Sequence, residues 1–182
     1  MEWTLTYIIS QVFTILMYIL LATTYYLKDR KKILVVSFLS TIAIGTAYVL
    51  LNAWTGFAMC IVAIIRNSIF IIDEKKNGKK ETITQKDILV LIFFFLIIGI
   101  STIFTYDGFL SLLSVFATML YTYSVWQKKV IIYKLCGIPV GILWIAYNIY
   151  IMSLFGIILE SVLLIASTCG YIIALKNSKS KV

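Results

Sequence analysis

An all-α membrane protein of seven transmembrane helices, arranged as two parallel three-helix bundles joined by a linker helix (3+1+3), is the fold class the sequence predicts. Three observations point there. Of the 182 residues 62% are hydrophobic, only one is proline, and a Gly, aromatic, Asn pattern recurs 96 positions apart. With a mean hydropathy of +1.00, this composition lies outside the range of soluble domains.

An apolar helix of about 17 to 25 residues crosses the roughly 30 Å hydrocarbon layer. Seven stretches qualify, approximately 6–27, 33–51, 54–72, 88–104, 109–126, 130–148 and 151–175. The first has no basic n-region and no small-residue cleavage site, so it is expected to be a permanent helix and not a signal peptide. Without a Pro/Gly/Ser linker, residues 1–182 are expected to form one membrane domain. Within it, 1–72 is the first three-helix module, 73–107 a cytoplasmic loop plus linker helix, and 108–182 the second module. The insert from Asp73 to Asp87 reads as a solvated loop.

The net charge of +8 is a topology signal and not a mark of nucleic-acid binding. Every basic residue except Arg66 sits at one set of helix ends: 28–32, 75–86, 128–134 and 176–181. By the positive-inside rule those ends are cytoplasmic, which predicts the N-terminus outside and the C-terminus inside. Attraction to anionic lipid accompanies such a distribution. Trp3, Trp54, Tyr106 and Trp126 lie at predicted span ends and read as interface anchors.

The repeat sets Gly45, Tyr48 and Asn52 against Gly141, Trp144 and Asn148, with Tyr25 against Tyr121 and Lys32 against Lys128. Spacings of three and four put each triplet on one helix face. A single helix between the two triplets makes both modules enter the membrane from the same side, which is one known plan for transporters.

The chain has no histidine, which removes imidazole metal sites and His-based triads. Cys60, Cys136 and Cys169 fall inside apolar spans without a CxxC pair, so they read as packing residues. No cofactor, metal site or enzymatic chemistry is expected.

Arg66 stands twelve residues after Trp54, and Glu160 nine after Ile151. At 1.5 Å per residue both lie near mid-membrane, roughly 18 and 13 Å from the outer helix ends. Charges there cost about 2.5 to 3.5 kcal/mol each, so they line a cavity or find a partner. Two readings stand for them: a polar pathway, or a buried ion pair that docks the modules, with Arg66 alternatively reaching toward Asp73. Asn67 is either part of that pathway or an interhelical hydrogen-bonding residue. Asn52 and Asn148 are able to offer an amide to a ligand, with Tyr48 and Trp144 as stacking rings, or they close their helices before short turns. Pro139, between Gly137 and Gly141, is a candidate hinge or a packing feature.

Trp144-x3-Asn148-x4-Ser153-x2-Gly156-x3-Glu160, with Ile65-Arg66-Asn67 in the first half, resembles the YgjV family of bacterial inner-membrane proteins. That family is grouped by similarity with the MtN3/SWEET and PnuC-type transporters, which have two three-helix bundles joined by a linker helix. The resemblance implies a bacterial inner membrane and a small polar solute, sugar-like or vitamin-like. The Pro-Gln dipeptide of PQ-loop relatives is missing here: Gln11 follows Ser10, and the fifth span has no proline.

The expected function is therefore a facilitator or secondary transporter of a small polar solute, with its pathway between the two bundles. The alternative is a non-transporting membrane scaffold or interaction protein. The expected partners are the lipid bilayer and a small-molecule solute, with a homo-oligomer left open and no nucleic acid.

Overall fold

Long apolar segments in this chain form helices because a backbone in lipid has no water to bond and must satisfy its N–H and C=O groups internally. The structure, a computed structural model, describes residues 5–77, 82–105, 108–150 and 152–179. Among them are seven α-helices and no strand: α1 (Leu5–Thr24), α2 (Arg30–Leu50), α3 (Trp54–Asn77), α4 (Gln85–Thr105), α5 (Leu112–Trp126), α6 (Val130–Tyr150) and α7 (Leu154–Lys179). Six are long and apolar enough to cross a membrane. The seventh, α5, has 15 residues, or about 22 Å. A 3₁₀ turn at Phe109–Ser111 precedes it and adds roughly 6 Å.

The chain divides into two compact units, residues 1–79 and 80–182. In the first, α2 packs against both α1 and α3. In the second, α6 packs against α5 and α7, while α4 lies along α5. The central helix of each unit carries several small residues on its buried face. On α2 that face includes Ser37, Ser40, Ala43, Gly45 and Ala47, and on α6 it includes Cys136, Gly137 and Gly141. Without a water-driven hydrophobic term between helices in lipid, such faces gain contact by letting backbones approach. A Cβ on Gly45 would sit 3.4 Å from Cys60 Cβ, and one on Gly141 3.2 Å from Leu164 Cβ. The outward faces are large and apolar, as with Phe104 at 84% exposure.

The two long hairpins close with the same backbone device. After α2, the Ala53 N–H bonds Tyr48 O and the Asn52 N–H bonds Val49 O, with Asn52 at φ 54°. After α6, the Ser153 N–H bonds Asn148 O and the Met152 N–H bonds Ile149 O, with Met152 at φ 55°. This pair of bonds around one left-handed residue satisfies the last carbonyls of a helix. The turns are 100 positions apart, as are the starts and ends of α2 and α6.

Several buried positions also recur at this displacement. Thr24 and Ser124, Ile33 and Tyr133, Leu34 and Lys134, Cys60 and Glu160, Arg66 and Ala166, and Asn67 and Ser167 are buried pairs. The Gly, aromatic and Asn triplets matched at 96 positions sit differently at the ends of their helices. Asn52 lies beyond the end of α2, whereas Asn148 lies inside α6.

Two further expectations change. The insert is largely helical: Asp73, Glu74, Lys75 and Lys76 continue α3, and Asp87 belongs to the first turn of α4. Thr84 N and Oγ1 donate to Asp87 Oδ2 at 2.7 and 2.8 Å, and the Asp87 N–H returns to Thr84 Oγ1 at 3.4 Å. This is a reciprocal cap of the kind that starts helices. Trp126 is not a lipid-facing anchor: it is buried, and its Nε1 donates to Asp87 O at 2.8 Å. Trp54 is exposed as expected, while Trp3, Tyr106, Lys79 and Lys80 lie outside the described residues.

Buried ion pairs tie helices together within each unit. Arg30 at the start of α2 bonds Glu74 near the end of α3, and both side chains are mostly buried. Lys128 Nζ donates to Asp87 Oδ1 at 3.2 Å, joining the α5–α6 turn to α4.

Two outcomes follow from these contacts. Arg30→Met leaves Glu74 without its cation and is expected to lower unfolding free energy by about 3 kcal/mol, much of it recovered in Arg30→Met with Glu74→Leu. Met152→Gly is expected to raise stability by about 1 kcal/mol, because the side chain is 87% exposed and its left-handed φ is relieved. Unfolding of the purified protein in mixed micelles measures both.

Candidate functional site

Polar atoms in the middle of these helices have few places to go, and the structure shows where they go. Most hydroxyls bond a carbonyl one turn back on their own helix, as Thr41 Oγ1 does to Ser37 O at 2.9 Å and Ser40 Oγ to the same oxygen at 2.8 Å. Such bonds cost no partner helix anything.

In the first unit α3 adds Arg66 and Asn67 to this hydroxyl-bearing face. Both are buried, Arg66 at 6% exposure and Asn67 at 0%. Asn67 Nδ2 donates across to Thr41 Oγ1 of α2 at 3.4 Å, and Arg66 Nε donates to Asn67 Oδ1 at 3.4 Å. Though adjacent residues differ by about 100° around a helix, the two side chains meet, because the arginine stem is long enough to turn back. Between Lys32 and Asp73, Arg66 is the sole charged residue in the sequence.

In the second unit Glu160 is also buried, at 8% exposure. It stands six residues after Leu154, the first of α7, or about 9 Å along the helix. Arg66 stands twelve residues, about 18 Å, along α3. The two are thus at different distances from the start of their own helices, since α7 begins later than the sequence pattern indicated. The contacts of Asn148 with Gly156 and of Gly141 with Leu164 set the α6–α7 register so that Glu160 is level with Trp144.

Trp144 is half-buried and packs edge-to-face on Tyr147, with ring centroids 5.8 Å apart. Its carbonyl accepts from Asn148 Nδ2 at 2.8 Å. The other end of the Asn148 amide lies against Gly156, where a Cβ would come within 2.1 Å of Oδ1. Asn148 is thus fitted between α6 and the first turn of α7, which Ser153 caps by accepting the Gly156 N–H at 3.2 Å. In the first unit the same place is taken by the Tyr48 ring, 3.0 Å from where a Gly56 Cβ would lie. Asn52 is exposed in its turn. Pro139 lies on the exposed face of α6, opposite the buried Gly137, Val140 and Gly141, and the helix runs unbroken through it.

One residue departs from its expected place. Lys134 belongs by sequence to the basic helix ends, yet it is buried at 2% exposure beside buried Tyr133. It stands four residues after the start of α6, and Thr122, fully buried, stands four before the end of α5. The two are therefore level in that hairpin. The helical period was the available signal: Lys134 shares a face with Gly137 and Gly141.

Among the described residues every buried side-chain nitrogen and oxygen has a hydrogen-bonding partner. Polar groups held in this way inside long apolar helices define a multi-spanning α-helical membrane protein with ionisable residues in its interior. The chain matches the family Imp-YgjV, bacterial inner membrane protein, over residues 8–177. It belongs to that family, and so to the bacterial inner membrane. No curated protein and no solved structure matches it.

The fit at Gly156 has a measurable consequence. Gly156→Ala drives a methyl into the Asn148 amide and is expected to cost about 1 to 3 kcal/mol. Combining it with Asn148→Ala is expected to recover part of that loss, as read by the midpoint of thermal unfolding.

Proposed function

We propose that the protein is a facilitator or secondary carrier of a small polar solute, sugar-like or vitamin-like. The observation that carries the reading is the burial of Arg66 deep in a membrane helix. Ionisable residues at that position are costly and mark solute or ion pathways by default. Arg66 and Asn67 are buried polar groups within the first unit, and Glu160 and Lys134 within the second. Trp144 offers a half-buried ring at the level of Glu160, whereas the packed amide of Asn148 is better suited to holding the α6–α7 hairpin than to meeting a ligand.

Duplication supports a carrier, since many transporter folds consist of repeated bundles. We place the repeat at 100 residues. At that displacement Lys28 meets Lys128, Gly56 meets Gly156, and Lys76, Asn77 and Lys79 meet Lys176, Asn177 and Lys179. A repeat separated by one connecting helix gives parallel modules. Lysines at one set of ends then favour an external N-terminus and a cytoplasmic C-terminus. Catalysis has no part in this reading.

A non-transporting scaffold is the second reading, favoured by the complete pairing of buried polar atoms among the described residues. The double substitution Arg66→Met and Glu160→Leu decides between them. For a carrier, the variant is expected to fold and to show no counterflow in proteoliposomes. For a scaffold, well-packed apolar replacements leave function intact. Substrate class comes from a thermal-shift screen of sugars, nucleosides and vitamins, repeated with Glu160→Gln. A solute that stabilises the parent protein and not the variant identifies both ligand and site.

A further inference from the structure

The end of the first unit where α2 starts and α3 finishes concentrates positive charge. The ion pair between Arg30 and Glu74 brings these two helix ends together. Each partner is followed directly by lysines: Lys31 and Lys32 after Arg30, Lys75 and Lys76 after Glu74. All four are exposed, as is Lys28 in the preceding turn. Two of the acids at this end have named partners: Glu74 is held by Arg30, and Asp29 Oδ1 accepts the Lys31 N–H at 2.9 Å to cap α2. The ion pair cancels its own charge, and the five exposed lysines around it outnumber the remaining carboxylates of Asp29 and Asp73.

The height of this cluster decides what it meets. Lys75 stands 21 residues after Trp54 on a continuous helix, or about 32 Å. Trp54 is 61% exposed and sits where an aromatic anchor marks one interface. A hydrocarbon core of roughly 30 Å then puts Lys75 and Lys76 in the opposite headgroup layer. Lys31 is the second residue of α2, an antiparallel helix of similar length, and reaches the same layer.

We propose that this end of the first unit binds the phosphate of an anionic phospholipid headgroup, with Lys31, Lys32, Lys75 and Lys76 as donors. The lysines come from two helices fixed to each other, so the site is built before the lipid arrives. Lysines clustered at the ends of membrane helices attract anionic headgroups with about 1 kcal/mol per residue, so each one lost lowers affinity roughly five-fold.

The test is the thermal midpoint of the purified full chain in neutral detergent, titrated with phosphatidylglycerol, with phosphatidylcholine, and with soluble glycerol phosphate. Three proteins are compared: the parent, Lys31→Gln with Lys75→Gln, and a charge-matched control, Lys129→Gln with Lys176→Gln. All substituted residues are exposed, and Lys31→Arg with Lys75→Arg serves as the folded, charge-retaining counterpart. The expected result is stabilisation by phosphatidylglycerol alone. Its affinity should fall roughly twenty-fold in the first variant, be retained in the arginine variant, and stay nearly unchanged in the control. Equal loss in the two glutamine variants, an equal response to phosphatidylcholine, or an equal response to glycerol phosphate overturns the proposal.

Discussion

A segment that crosses lipid has no water to turn to, and the pairing of the buried polar atoms among the described residues follows from that constraint. Backbone groups are satisfied by the helix itself, and isolated hydroxyls by the carbonyl one turn back. The groups that cannot be satisfied locally then determine how helices meet. Asn67 needs a second helix and finds Thr41 on α2. Arg66 shares the other end of the same amide. In this way one short chain of donors ties α3 to α2 in the layer where dispersion between small residues does the rest. At the helix ends, where headgroups and water begin, ion pairs hold the helices instead, Arg30 with Glu74 in one unit and Lys128 with Asp87 in the other. The mid-membrane bonds fix which faces meet, and the end pairs fix where the helices stop sliding.

How much of this the sequence disclosed depends on the size of the signal. Six long spans were legible because hydropathy sums over about twenty residues and tolerates local error. Burial of Arg66 and Glu160 was legible for the same reason, since a lone charge stands out against an apolar run. Lys134 was hidden by company: with Lys128 and Lys129 close by, it read as one more basic residue at a helix end, and only its helical phase set it apart. The insert looked like a loop because its composition is polar. A long helix whose last turns project beyond the hydrocarbon looks the same in composition, as α3 shows through Asn77.

The register of the proposed repeat was obscured in a different way. Gly, aromatic and Asn are conspicuous, and their coincidence at 96 positions outweighed quieter identities such as Gly56 with Gly156. Four residues are close to one helical turn, so displacements of 96 and of 100 both put each triplet on a consistent face. The left-handed residues at Asn52 and Met152, which mark the ends of α2 and α6 on the backbone itself, are 100 positions apart. Different side chains fill similar gaps at the two hairpins, Tyr48 against Gly56 and Asn148 against Gly156.

On the 100-residue displacement the interior charges no longer face like positions. Arg66 stands opposite Ala166, Glu160 opposite Cys60, and Lys134 opposite Leu34. In each pair one unit keeps an apolar or weakly polar residue in a buried place, so the fold itself does not require a charge there. An interior charge costs about 2.5 to 3.5 kcal/mol at a helix centre, and the positions 100 residues away are buried without one. Under the proposed carrier reading, a requirement set by a passing solute gives a reason for such charges, because it falls on particular side chains, while the small residues of α2 and α6 and the turns that follow them recur in both units.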